Sequence, residues 1–215
     1  MKIPPKNTLK FFGYIGIVAS LLVGIGEFLI HYSEAGYSGT ENFHWLSQRD
    51  YSTVLTGHYL MLAGLPLYIF GYYHFYLAFR NTKKELAQLF FALGVIAFSL
   101  GGVWAGSRAI LTEIVKSGNL HLINYYKAHY EVLVSILRLF IFIISILWVK
   151  LVGFGKSPYP KWMAFFNPIS ILGVVFLSYF VMPQIGKYLV PTAMNVTHMI
   201  LFTLSLMTIK KNSVV

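Results

Sequence analysis

Long apolar runs, each broken by one or two polar residues, dominate the chain. Residues 11–30 are apolar except for Glu27, and residues 53–79 are apolar around His58 and His74. Residues 86–105 carry Gln88 as their amide, and 132–149 carry Arg138 as their one charge. Residues 162–182 contain Asn167-Pro168, and 189–209 contain Asn195 and His198. A helix crosses the hydrocarbon layer with about 20 apolar residues. The pattern therefore predicts an all-α integral membrane protein. It is one domain over 1–215, a bundle of six transmembrane helices near 11–31, 53–79, 86–106, 131–151, 162–182 and 189–209.

The connections support that division. Residues 81–84 form a short turn, and Ser157-Pro158-Tyr159-Pro160 is a rigid stop after the fourth span. The connections on the other side, 33–52 and 106–130, are longer, and aromatic residues including Tyr37, Phe43, Trp45 and Tyr51 stud the first of them. Gly13, Gly16, Ser20 and Gly24 lie near one face of the first span, and Gly102 and Gly106 form a small-xxx-small pair in the third. Such residues let backbones approach where lipid gives no drive for association. Trp45, Trp104, Trp148 and Trp162 near span ends fit an interfacial belt. The first span reads as a retained anchor, because it is long, contains Glu27 and lacks a small-x-small cleavage site.

Composition agrees. The 215 residues are 57% hydrophobic and 11% charged, against roughly 25% charged in ordinary soluble domains. So few charges cannot cover a globular surface in water. Disorder is excluded by the aromatic content of 17%. Cysteine is absent, which removes disulfides, thiolate metal sites and cysteine nucleophiles.

Net charge is +10. No recognition helix or aromatic–basic module accompanies it, so nucleic acid is not an expected partner. The basic residues flank the spans instead, and they orient the chain. Lys2, Lys10, Arg80, Lys83, Lys84, Lys150 and others lie on one side, eleven of the seventeen Lys and Arg residues. Arg49, Arg108, Lys116, Lys127 and Lys187 lie on the other. Both termini are expected in the cytoplasm, and the inner (plasma) membrane is the expected location.

Polar residues within the spans are unevenly distributed in depth. At about 1.5 Å per residue, Glu27 lies about 5 Å inside the outer boundary, His58 about 7 Å, Arg138 and Asn195 about 9 Å and His198 about 14 Å. His31, Arg108, His129 and Glu131 sit near that boundary. Ionisable groups in lipid are costly and mark functional sites or buried partners. Their concentration in the outer half predicts a polar cavity there. The expected occupant is a lipid-like or amphipathic molecule. Arg108 and Arg138 would hold its head, and His31, His58, His129, Asn195 and His198 would hydrogen-bond it. Glu27, Glu131 and His198 are the candidate acid–base groups if the bound molecule is transformed. The competing reading of the same charges is an internal network pairing Glu27 with Arg138 or Arg108.

Two other functions draw on the same residues. His58 and His198 with His31 or His129 would make a three-histidine zinc site for a metal-dependent intramembrane hydrolase. No His-Glu-x-x-His motif accompanies them, so no metal ligand is assigned. The sequence specifies no cofactor and no oligomeric state. Trp104-Ala-Gly-Ser107-Arg108 lacks the pattern of a nucleophile elbow. A small-molecule transporter is disfavoured by the sparse polar groups of the inner half.

Overall fold

The computed structural model describes residues 6–34 and 41–209. Tyr37 and the basic residues Lys2, Lys210 and Lys211 lie outside the described residues. All the regular structure of the described residues is helical. Helix α1 spans Lys6–His31, α2 Tyr51–Phe79, α3 Lys84–Ser117 and α4 Leu120–Val149. They are followed by α5 (Pro168–Val181), α6 (Pro183–Leu189) and α7 (Ala193–Thr208). Short 3-10 turns at Glu41–Gln48, Lys161–Phe165 and Val190–Thr192 join them, and a π-helical turn at Lys150–Phe154 extends α4.

Five helical runs are long and apolar enough to cross a membrane: Asn7–His31, Tyr51–Phe79, Lys84–Ser117, Leu120–Phe154 and Pro183–Thr208. The run expected at 162–182 differs. It begins with a 3-10 turn, and Asn167 then caps α5 by accepting the Ser170 amide at 3.1 Å, with Pro168 in the first helical turn. Pro183 ends the helix after 14 residues. That is about 21 Å, short of a hydrocarbon layer of about 30 Å. The final run is also divided, because Pro191 interrupts it in the 3-10 turn before α7.

α3 and α4 exceed their expected spans in the other direction. α3 has 34 residues, about 51 Å of helix. Beyond the lipid-length window both helices continue with mixed polarity, a length that hydropathy alone does not register. They meet in a hairpin at Gly118, whose φ of 69° is the left-handed conformation that glycine adopts without strain. Asn119 caps α4 by accepting the Leu122 amide at 3.2 Å. The hairpin packs on the 3-10 turn through a small separate core of Leu46, Leu111, Val115 and Ile123. Asp50 then caps α2, accepting the Ser52 amide at 3.1 Å and the Thr53 amide at 3.4 Å.

The main core forms where α1, α2 and α7 meet, with α3 and α4 closing one side. Phe75 stacks on Phe202 at 4.9 Å and meets Trp148 edge-on at 5.3 Å. Trp148 is wholly buried and donates to the Met163 carbonyl at 2.9 Å. It is a core residue, which corrects its expected place in an interfacial belt. A row of glycines on α2 sets the α1–α2 approach. A Cβ at Gly57 would lie 2.6 Å from the Gly26 carbonyl oxygen, one at Gly64 2.9 Å from Leu22 Cβ, and one at Gly71 2.9 Å from Gly16 Cα. Gly57, Gly64 and Gly71 recur every seventh residue, which keeps them on one helical face.

Candidate functional site

A cavity of about 430 Å³ opens between α1, α3, α4, α5 and α7. That size falls within the usual range of small-ligand sites, about 300–1,000 Å³. Its walls are mostly apolar, including Leu65, Phe98, Leu137, Ile141, Ile144, Leu172 and Phe176. Its polar groups are Glu27, His31, Arg108, Arg138, Asn195 and His198, with the rims of Trp45, Trp104, Tyr72 and Tyr130.

Each polar group is placed by its helix. Glu27 and His31 are one turn apart on α1, and both are buried. Asn195, near the start of α7, donates to Glu27 Oε2 at 2.5 Å and accepts from the Tyr68 hydroxyl at 2.5 Å. Glu27 therefore has an amide partner. The described residues show no ion pair joining it to Arg108 or Arg138.

His198 is fully engaged. Its Nδ1 lies 2.9 Å from the Met194 carbonyl, which can only accept, so the ring proton sits there. Its Nε2 then accepts from the Tyr72 hydroxyl at 2.9 Å. A matching chain fills the other end of the bundle. His74 donates through Nδ1 to the Leu9 carbonyl at 2.8 Å and accepts at Nε2 from Ser205 at 2.6 Å. Ser205 accepts from Tyr159 at 2.7 Å. Burial holds the Tyr159 phenol above its ordinary pKa, against the opposing pull of Ser205, so it stays a donor. Both chains end on backbone carbonyls.

His31 and Arg108 are incompletely satisfied. His31 Nδ1 reaches the Pro191 carbonyl at a long 3.4 Å, and its buried Nε2 has no hydrogen-bond partner among the described residues. Arg108 is 6% exposed. Its Nη2 donates to the Tyr130 hydroxyl, while Nε and Nη1 have no partner among the described residues. Aromatic rings surround the guanidinium: Tyr130 at 4.4 Å, Trp104 at 4.8 Å, and Phe43 and Trp45 at 5.8 Å each. Phe43 takes a left-handed φ of 59°, uncommon for a bulky residue, where it packs edge-on against Tyr130 at 5.3 Å. The Trp104 indole nitrogen also lacks a partner among the described residues. Trp45 and Trp104 thus pack around Arg108, a correction to their expected place in an interfacial belt.

The residues singled out by depth divide into two groups. Glu27, His31, Arg108, Arg138, Asn195 and His198 line the cavity, with Arg138 exposed at its rim. His58, His129 and Glu131 do not line it. His58 sits half-buried on α2, its ring edge beside Gly106, and His129 and Glu131 are exposed on α4. Among the described residues no three His, Asp or Glu side chains come close enough to hold a metal ion. The set His58, His198 and His31 or His129 is not assembled.

Sequence reading missed the aromatic wall. Trp104 and Arg108 are four residues apart, a spacing that places them on one helical face and was available in the sequence. Tyr130 and Trp45 join them only through the α3–α4 hairpin and the 3-10 turn, which no local pattern reveals.

Five long apolar helices around a buried, partly polar cavity define a multipass membrane protein. Residues 1–212 match the model of DUF6796, a family of unknown function, and the chain belongs to that family. No curated protein and no solved structure matches it.

Proposed function

We propose that the chain binds an amphipathic or lipid-like molecule, with its tail along the apolar walls on α3, α4 and α5 and its head among Glu27, His31 and Arg108. The single observation that carries this reading is Arg108. A buried guanidinium with two donors unpartnered among the described residues lines the polar end of an otherwise apolar cavity. A stranded charge in low dielectric costs several kcal/mol, so such a group implies a partner. Within this reading the cavity opens to the outer half of the plasma membrane, and both termini are cytoplasmic. The Lys and Arg asymmetry between the connections supports that orientation. Asn167 and the preceding 3-10 turn would complete a sixth, shortened crossing with α5.

A transporter is the second reading, favoured by the discontinuity at Pro183–Pro191 beside the cavity. Against it, the ordered chains at His198 and His74 both end on carbonyls, and the Phe75–Phe202 stack closes the bundle between them. For a metal-dependent hydrolase, His198 offers no free ring nitrogen.

Gly101 provides the test. It lines the cavity, and a Cβ there meets nothing within 4 Å. Gly101→Leu would extend into the cavity from a position whose first side-chain carbon meets no neighbour. Native mass spectrometry of the detergent-purified chain should reveal a retained lipid-sized mass that Gly101→Leu loses. A bare wild-type chain would refute the proposal.

A further inference from the structure

We propose that the molecule in this cavity is a single-chain amphiphile whose head is an oxyanion, a carboxylate or a phosphate, seated on Arg108. The inference rests on the binding reading above and adds the charge and chemical class of the ligand.

Charge is the first argument. The cavity wall carries two guanidinium groups, Arg108 and Arg138, and one carboxylate, Glu27. Glu27 already serves Asn195, and no carboxylate among the described residues comes within ion-pairing distance of Arg108. The wall itself is short of one negative charge, and Glu131, which does not line it, acts on Arg108 only through longer-range attraction. An arginine keeps its proton under any ordinary condition, so the deficit cannot be removed by titration.

Geometry is the second argument. Arg108 is fixed by Tyr130 and by the ring of aromatic faces, so its remaining donors point in set directions. A rigid guanidinium with free N–H groups matches the oxygens of a carboxylate or phosphate. The aromatic rings weaken its hydration, which favours an anion over water as the partner. The Trp104 indole N–H, unpartnered among the described residues and one turn earlier on the same helix, adds a further donor. The apolar remainder of the cavity suits one hydrocarbon chain.

The experiment uses the purified full chain, stripped of co-purifying lipid. The probes are dibromostearate, a lysophosphatidate with the same dibrominated chain, and the neutral monoglyceride of that chain. Bromine quenches tryptophan on contact, and Trp45 and Trp104 line the cavity. One or both anionic probes should bind at least about tenfold tighter than the monoglyceride, about 1.4 kcal/mol. Whichever anion binds tighter identifies carboxylate or phosphate as the head. Arg108→Gln should abolish the preference and leave monoglyceride binding in place. Arg108→Lys, which keeps the charge, should retain part of it, and stands as the test if the glutamine variant does not fold.

Equal binding of all three probes, unchanged in the Arg108 variants, would overturn the oxyanion assignment and leave cavity binding standing. Displacement of the probes by inorganic phosphate would overturn it in favour of a free-anion site. No quenching by any probe would overturn both readings.

Discussion

Gly57→Ala tests a close backbone contact between α1 and α2. The added methyl would lie 2.6 Å from the Gly26 carbonyl oxygen, 3.0 Å from Ile30 Cγ1 and 3.1 Å from Leu29 Cβ. Carbon and carbonyl oxygen approach comfortably at about 3.3 Å. The α1 backbone must therefore withdraw by about 0.7 Å. Overpacking of that kind costs about 1–3 kcal/mol. Alanine also gains about 1 kcal/mol over glycine within a helix. Gly173→Ala on α5 isolates the second effect, because nothing lies within 4 Å of a Cβ there. The propensity gain is common to both variants, so their difference is the steric cost, about 1–3 kcal/mol. Both would be unfolded in dodecyl maltoside micelles with rising dodecyl sulfate, following helical circular dichroism. Gly57→Ala should unfold at the lower denaturant fraction. Coincident midpoints would refute the backbone contact as the determinant of the α1–α2 approach.

Other consequences concern the polar residues. Asn195→Leu removes the amide that serves Glu27 and Tyr68, stranding both, and should cost about 1–3 kcal/mol in the same unfolding measurement. An unchanged midpoint would mean that water or a ligand replaces the amide. The Asp50 carboxylate is held below its usual pKa, first by the Ser52 hydroxyl and then by the Thr53 amide. A depressed value contributes stability above the unfolded pKa of about 3.9, and that contribution fades as pH falls through the lower folded value. The carboxyl resonance of Asp50 should thus titrate below about 3.9 by NMR, and a midpoint at or above it would contradict the cap.

The helices that hydropathy located best are those whose ends coincide with the ends of their apolar runs, α1 and α2. Hydropathy measures suitability for lipid, and so it truncated α3 at residue 106 although the helix continues to Ser117. It merged 162–182 into one span, because Pro183 and the Asn167 cap are backbone signals that an apolar average ignores. The glycines of α2 were visible as a repeat of seven, yet their meaning depends on which helix lies opposite. Depth along each span selected six residues that line the cavity, Glu27, His31, Arg108, Arg138, Asn195 and His198. It also selected His58, His129 and Glu131, because depth carries no information about helix rotation. The aromatic enclosure of Arg108 comes from three separate stretches of chain, and only tertiary structure brings Trp45, Trp104 and Tyr130 together.

Phe202 divides the buried polar groups of α7 into two sets. It stacks on Phe75 and fills the space beside Gly16 and Gly71, with Asn195 and His198 on one side and Ser205 on the other. No hydrogen bond runs between the Tyr72–His198 pair and the Tyr159–Ser205–His74 chain among the described residues. The two sets share no hydrogen bond, and what they have in common is the Phe202 ring, beside His198 at 6.3 Å and His74 at 6.5 Å. Asn195 and Ser205 are about 15 Å apart along the helix, beyond the range at which substitutions usually couple. Losses at the two ends should sum in a double variant. Natural sequence change can then remodel the chemistry of the cavity while the opposite end keeps the bundle closed.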